Sequence, residues 1–596
     1  MRRSRIPFGR ARSVATAAVL ALGIGLLAAP AASAAAPAAK AATRAAAEAA
    51  AKTAIEVNSQ DPVTAEPPVS RPATRSCTQT LADDFPSNTA TGAPQNFSGT
   101  LAPPAACPGP WAKVVLDWTT SVKGRQYDRS GSLDIGSTMV YFGTTYEPDP
   151  AGKTYHFAKD LTEYSSLLRS PQAFDGGIGN YTSSVDNGVY AQTVTVTYYQ
   201  ADRANPAPAE PDTVVGLGSQ DASGTQPTVH LTASGLPRNI THAYLEVYIK
   251  GNGCDEQWFT DVPDDVAATY PAAEMCGNGP YREVDASIDG KAAGVTQYFP
   301  YIYTGGIVPQ LWRPIPAVGT FDMSPELLDV TPFVGELVDG GSHDVALTVA
   351  DAGDVWNLSA NLLLYTDHHA ATTSGALTED TIAPTAAMSQ HESTSANGSL
   401  TATVGADRSW RTSGYVVTSA GRETTTVSQQ ASFSNVDVVS KGGFAQDITE
   451  RDQGRNVSVT TDSRGSTQVR THQWSYPISV DLYDQGTTNT DFSLAATVDM
   501  TRQLRDAVSV RWAPHDPAAR LGLLAPAAIP SAFVQSTDRV HSTGALTVAN
   551  GVTTVANGQS WQLYSGTDDV PGQWYWHYLA AKNGWLTADE LRVSGK

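Results

Sequence analysis

The sequence predicts an all-β chain: two adjacent β-sandwiches followed by a further β-rich C-terminal region. Three observations carry this. Short runs of alternating apolar and polar residues recur between Gly, Pro, Asn and Asp turns from Cys77 onward. Convincing amphipathic helices are scarce. One Asp-containing element occurs twice, each time shortly before a Val-rich strand.

In chain order, the N-terminus reads as an export signal, residues 1–34. Arg2, Arg3, Arg5, Arg10 and Arg12 precede an apolar run from Val14 to Leu27, and Ala32-Ser33-Ala34 supplies a small-residue cleavage site. Arg2-Arg3 fits the twin-arginine route and the residues after it fit poorly, so either route is open. The run is short for a membrane span, and a secreted, extracellular protein is expected, with no membrane association after cleavage. Residues 35–76 are rich in Ala, Pro, Glu and Thr, without a pattern that could build a core, and read as a linker.

The first sandwich is assigned to residues 77–205. Val114, Leu116 and Trp118 alternate with Val115 and Asp117 as a half-buried strand should. The second, residues 206–375, follows the Pro-rich stretch 204–211. There Leu245, Val247 and Ile249 face one way and Tyr244, Glu246 and Tyr248 the other. Val345, Leu347 and Val349 repeat the pattern, as do Leu358, Ala360, Leu362 and Leu364. The echo is Asp160-Leu161-Thr162-Glu163-Tyr164 against Asp329-Val330-Thr331-Pro332-Phe333, which match as Asp, aliphatic, Thr and aromatic. Residues 376–596 have strand-like runs at 456–461 and 476–483. The tail residues Trp574, Trp576, Tyr578 and Trp585 read as core, with a small glycan-contacting module as the alternative.

The formal charge is -20, from 59 acids against 39 Lys and Arg, and becomes more negative once the five signal arginines are removed. Such a chain repels polyanions, which excludes nucleic acid as a partner class. Four cysteines in an exported chain fit a sequence-local disulfide framework, Cys77–Cys107 and Cys254–Cys276. No Cys-x-x-Cys or His-x-x-x-His pair points to zinc, so no metal is expected.

Three constellations could carry chemistry. In Gly124 to Arg129, Asp128 has Arg129 beside it; a surface pair is the plainer reading. In the patch 253–259 with 276–284, a Cys254–Cys276 staple would bring Asp255, Glu256 and Trp258 near Tyr281, Arg282 and Glu283. Glu283 falls on the polar face of its strand, toward a cleft or toward solvent. In 301–315, Trp312 and Arg313 after a Gly-Gly turn either contact a sugar or form a buried corner. No Gly-x-Ser-x-Gly elbow, phosphate loop or His-Glu-x-x-His occurs.

Taken together, Gln126 to Arg129, Tyr146-Glu147-Pro148, Lys159 to Tyr164, Cys254 to Trp258, Gly277 to Val284, Ile288-Asp289-Gly290, Thr304 to Ile307, Trp312 to Ile315 and Asp329 to Phe333 resemble the peptide-N4-(N-acetyl-β-glucosaminyl)asparagine amidase A family. The motifs keep one order from about residue 105 to 370. The resemblance implies two jelly-roll-like sandwiches with an active site in the cleft between them. It implies hydrolysis of the amide joining an N-glycan to asparagine, without metal or cofactor, on N-glycosylated proteins or peptides. It places the main catalytic acid at Asp128, with Glu256 or Glu283 assisting, and Arg129, Trp258, Arg282, Trp312 and Arg313 positioning substrate. A monomer is expected. The alternatives are a non-catalytic glycan-binding adhesin or lectin, and a glycoside hydrolase with two carboxylates.

Overall fold

The computed structural model describes residues 58–87, 96–149, 151–183, 186–488, 491–513, 534–550, 552–567 and 572–595. The expected signal and the first part of the expected linker lie outside the described residues.

Alternating apolar residues build the first unit from β1 (Ser76–Ser87), β2 (Phe97–Leu101), β3 (Trp111–Lys123), β4 (Ser130–Ile135), β5 (Thr138–Thr144), β6 (Lys153–Asp160), β7 (Gln172–Ile178) and β8 (Val189–Gln200). They form two four-stranded sheets, ordered β1-β8-β3-β6 and β2-β7-β4-β5. Val114, Leu116 and Trp118 are buried in the core between them. The second unit comprises β9 (Thr213–Ala222), β10 (Thr228–Ala233), β11 (Ile240–Gly251), β12 (Glu283–Ile288), β13 (Lys291–Gln297), β14 (Glu326–Asp329), β15 (His343–Val349) and β16 (Trp356–Thr366). Its sheets run β9-β16-β11-β14 and β10-β15-β12-β13. Adding eight to each strand number of the first unit gives the second.

That repeat explains the sequence echo. In both units the strand ends in Asp, whose Oδ1 accepts the N–H of Thr162 (2.9 Å) or Thr331 (3.0 Å), an Asx turn that opens a short 3-10 helix. Each Thr Oγ1 then accepts a backbone N–H from the neighbouring strand, Val114 at 3.0 Å and Ala243 at 3.2 Å. The aromatic of each copy, Tyr164 or Phe333, is buried.

β11 is buried on both faces. Leu245, Val247 and Ile249 fill the second core, while Tyr244 packs in the first core's cluster. Glu246 is held at the junction by Tyr164 Oη (2.7 Å) and Asn361 Nδ2 (2.7 Å). Burial pushes its carboxyl pKa up, because leaving water disfavours the ionised form of an acid. The outer row that sequence alternation marks as the second face is therefore an interface between sandwiches.

The C-terminal region is one antiparallel sheet of eleven strands. β17 (Ser374–Asp380) and β18 (Ala387–Thr394) share one edge of β19 (Leu400–Thr418). Then follow β20 (Gly421–Ser440), β21 (Ala445–Asp462), β22 (Thr467–Thr488), β23 (Asp491–Arg511), β24 (Val534–Ala549), β25 (Val552–Thr567), β26 (Trp574–Lys582) and β27 (Trp585–Ser594), each paired to the next. One face buries Ile448, Tyr476, Ile478, Val480, Val498 and Met500 in the same core as the second sandwich. Part of the tail departs from the expected core: Trp574 and Trp585 are exposed, and Tyr575, Leu579 and Ala581 are the residues buried from β26.

The expected linker also differs from expectation over its last part. Ser59 donates its N–H to Asp149 Oδ2 at 2.9 Å, Val63 to the Pro314 carbonyl at 3.1 Å, and Ala65 to Gln562 Oε1 at 2.8 Å. One extended segment thus ties both sandwiches to the C-terminal sheet. Its composition carries no hydrophobic period because its hold is mainly through backbone and side-chain hydrogen bonds, with Ala65 buried in the core.

Candidate active site

Asp128 lies in the loop from β3 to β4, and the backbone on either side of it is fixed. The Tyr127 carbonyl accepts Tyr190 Oη at 2.6 Å, and the Arg129 N–H donates to Thr145 Oγ1 at 2.8 Å. The second sandwich completes the position. Thr304 Oγ1 accepts the Glu147 N–H at 2.8 Å and donates to the Thr145 carbonyl at 3.0 Å. This latch brings the Gly305 N–H to 2.8 Å from Asp128 Oδ2.

Gly305 has no left-handed φ, so its missing side chain answers to space. A Cβ there would sit 2.8 Å from Glu147 Oε2 and 3.2 and 3.3 Å from the two Asp128 oxygens. Two carboxylates therefore converge on one glycine. Arg313, buried, approaches Glu147 Oε2 at 3.8 Å.

The patch 253–259 folds as a short 3-10 segment, and its residues have three separate fates. Asp255 is fully buried: Oδ1 accepts Arg282 Nε (2.9 Å) and Nη2 (2.6 Å), and Oδ2 accepts the N–H groups of Gly353 (2.8 Å) and Asp354 (2.6 Å) and Trp356 Nε1 (2.8 Å). Glu256 turns into a cavity of about 390 Å³ that Asp128 also lines. Trp258 packs in the core against Phe259, Tyr298 and Trp356, with ring centroids 5.5 to 6.2 Å away. The Cys254–Cys276 and Cys77–Cys107 disulfides both form.

Several expectations are corrected. Glu283 does not line the cavity; it is buried in a bidentate pair with Arg408 of β19 (2.5 and 3.0 Å) and accepts Tyr281 Oη at 2.5 Å. Arg282 is spent on Asp255, on Asp261 Oδ2 (3.1 Å) and on the Gly279 and Tyr281 carbonyls. Trp258 is core. Trp312 is fully buried, its Nε1 donating to the Gly306 carbonyl at 2.9 Å, so it is the corner that shapes the Gly305-Gly306 turn. Arg313 lies behind Glu147 rather than on the cavity wall. Arg129 does line the cavity, its guanidinium held by Gln126 Oε1 at 2.5 Å and placed over the Tyr127 and Tyr181 rings.

Glu147, Lys250 and Gly305 join the site without having been singled out as site residues. The first and last stand inside matched motifs, which was the available signal. Lys250 is the last residue but one of β11. Burial lowers its pKa, and Glu256, Asp128 and Asp221 push it back up, so the ammonium shares one electrostatic neighbourhood with both acids. Its Nζ lies 5.5 Å from the Tyr303 ring centroid. Burial, with Tyr298, Glu256 and Asp128 nearby, raises the Tyr303 phenol well above its ordinary value.

The cavity is thus walled by the first sandwich (Tyr127, Asp128, Arg129), by the second (Glu256, Gln257, Met275, Gly305) and by the C-terminal sheet (Phe444, Leu482, Asp484).

Comparison with known proteins matches residues 63–383 to the peptide N-acetyl-beta-D-glucosaminyl asparaginase amidase A family, and residues 401–478 to the PNGase A C-terminal domain. A relative from Prunus dulcis, peptide-N4-(N-acetyl-beta-glucosaminyl)asparagine amidase A, is 31% identical over 410 residues, covering 64% of this chain and 70% of its own. Two solved structures are more remote. PNGF-II has a TM-score of 0.35 and 13% identity over 50% of this chain and 66% of that one. PNGase F, a glycosylasparaginase from Flavobacterium meningosepticum, has a TM-score of 0.32 and 13% identity over 49% and 96%.

Proposed function

We propose, for a chain that belongs to the peptide N-acetyl-beta-D-glucosaminyl asparaginase amidase A family, that its reaction runs at Asp128 and Glu256 in the cavity between the two sandwiches. The protein is a glycoamidase: it hydrolyses the amide that joins an N-glycan to asparagine, on glycoproteins or glycopeptides. The observation that carries the site is the meeting of Asp128 and Glu256, one from each sandwich, with Asp128 held by the Gly305 N–H.

In this reading Asp128 takes a proton from water as the oxygen adds to the asparagine side-chain carbonyl carbon. The carbon–nitrogen bond then breaks, and the nitrogen leaves with a proton supplied through Glu256. The products are aspartate in the peptide and a glycosylamine, which loses ammonia in water. Lys250, within electrostatic reach of both acids, offsets their mutual repulsion when protonated. Glu147 and Gly305 fix where Asp128 stands, and positioning of that kind is worth several kcal/mol of the barrier. Arg129 supplies a donor at the rim.

The proposal extends to organisation. The paired orders β1-β8-β3-β6 with β2-β7-β4-β5, repeated eight strands on, support reading each unit as a jelly roll, over 77–205 and 206–375. Secretion through the signal at 1–34 is supported by two disulfides, which persist in oxidising compartments.

The test is a set of three variants assayed on one glycopeptide. Asp128→Asn should abolish release and Glu256→Gln should lower kcat, each melting within a few degrees of wild type. Glu283→Gln should lower stability while keeping kcat. Loss of kcat with Glu283→Gln and none with Glu256→Gln would exchange their roles and refute this assignment.

A further inference from the structure

The wall supplied by the C-terminal sheet has a construction of its own. The turn from β20 to β21 carries left-handed φ at Lys441 (52°), Gly442 (73°) and Gly443 (95°). It is driven into the loop closed by Cys254–Cys276: a Cβ on Gly443 would lie 2.6 Å from the Cβ atoms of both Ala273 and Tyr270. Two buried amides then grip the backbone just after Glu256. Asn435 Nδ2 donates to the Phe259 carbonyl at 3.1 Å, and Gln446 Nε2 to the Thr260 carbonyl at 2.8 Å. The sheet is therefore fixed against the loop that carries Glu256.

From this fixed wall Phe444, half-buried, lines the cavity beside Asp484, whose N–H donates to the Phe444 carbonyl at 2.9 Å. The strands that carry the wall present no free edge to a peptide. Around it the strands are paired on both sides, Ser440 with Ala445, Gln446 with Leu482, and Ala445 with Tyr483. An extended peptide that sought to add a strand would find those donors and acceptors used. What the wall offers is a ring face next to a carboxylate. The carbon–hydrogen face of a sugar packs on such a ring, and its hydroxyls donate to such an acid. Asp128, Glu256, Asp261 and Asp484 in one lining also favour a neutral partner over an anionic one.

We infer that Phe444 and Asp484 form a subsite for sugars of the glycan beyond the one joined to asparagine, so that the C-terminal sheet reads the glycan while the sandwiches cut the amide. This rests on the reading that the reacting centre is at Asp128 and Glu256.

The test uses the full-length protein and two probes. The first is a released N-glycan oligosaccharide with a free reducing end, titrated by calorimetry into wild type, Phe444→Ala and Asp484→Asn. The second is hydrolysis of a glycopeptide carrying a single N-acetylglucosamine. Each variant should bind the oligosaccharide about tenfold more weakly and hydrolyse the single-sugar glycopeptide within about twofold of wild type. Should Phe444→Ala misfold, Phe444→Leu keeps apolar bulk without a ring face and should show the same weakening. Equal affinity in wild type and both variants, or no binding of the oligosaccharide by wild type, overturns the subsite. The two readings fail separately: full hydrolysis by Asp128→Asn would remove the reacting centre but would not alter the oligosaccharide titration.

Discussion

Gly305→Ala places one methyl group at the point where the two sandwiches meet. Ordinary contact between the new Cβ and an oxygen begins near 3.4 Å. Glu147 Oε2 at 2.8 Å must then retreat by about 0.6 Å, and the nearer Asp128 oxygen, at 3.2 Å, by about 0.2 Å. The Gly305 N–H bond to Asp128, 2.8 Å long, tilts and lengthens as they move. A misplacement of about 1 Å at a reacting group costs on the order of a hundredfold in rate, so shifts of a few tenths should cost about tenfold. The backbone has no left-handed φ there, so the fold loses little, on the order of 1 kcal/mol, and the melting temperature moves by only a few degrees. The assay is kcat/KM on a glycopeptide, with the melting curve alongside. Activity within twofold of wild type, in a folded protein, would refute the convergence of Asp128 and Glu147 as the frame of the site. A large loss of stability would assign Gly305 to folding instead.

Other expectations follow from the same contacts. Trp258→Ala, in the second core, should destabilise by about 3–5 kcal/mol, read by urea denaturation, with KM unchanged in whatever fraction stays folded; a raised KM at full stability would restore it to the cavity wall. Arg408→Ala strands Glu283 without its partner and should cost about 3–5 kcal/mol, lowering thermal stability, while Glu283→Gln with Arg408→Met together should cost less than Arg408→Ala alone. The carboxyls of Asp437 and Asp452 are pushed up to about 7 by burial. Between about pH 4 and pH 7 the unfolded chain ionises them while the fold keeps them protonated, so each reduces stability by about 1.4 kcal/mol per pH unit as pH rises. Scanning calorimetry should therefore show a flatter dependence of melting temperature on pH over that window in Asp437→Asn/Asp452→Asn; an unchanged slope counts against the assignment. Cys254→Ser/Cys276→Ser removes a staple worth about 3 kcal/mol and loosens the loop of Glu256, so kcat should fall together with stability.

The fold was largely legible because its signal is periodic. Alternation marked β3, β11, β15 and β16, and the Asp-x-Thr-x-aromatic echo marked a repeat whose hydrogen bonds now match atom for atom. Motif order pointed to Asp128 and left Glu256 and Glu283 as alternatives; Asp128 and Glu256 are the two that line one cavity. The errors cluster where period gives no direction. In a 3-10 segment the neighbours Asp255, Glu256 and Trp258 point into an ion web, a cavity and a core, and nothing in Cys-Asp-Glu-Gln-Trp separates those fates. Glu283 sat on a polar strand face, as alternation indicated, but that face meets Arg408, 125 residues away in sequence, rather than a cleft. The partner could not be read from local pattern because the C-terminal sheet covers the second sandwich with long-range contacts alone. Phe444 and Asp484 were out of reach for the same reason.

The central claim is the proposal that Asp128, held at the junction of the two sandwiches, is the carboxylate that takes the proton from the attacking water. Mass spectrometry of a defined glycopeptide incubated in heavy-oxygen water with wild type and with Asp128→Asn tests it most directly. Wild type should yield a bare peptide in which aspartate, carrying one heavy oxygen, replaces the glycosylated asparagine, and Asp128→Asn, equally folded by melting curve, should leave the glycopeptide intact. Conversion by the folded variant at a rate near wild type would contradict the account.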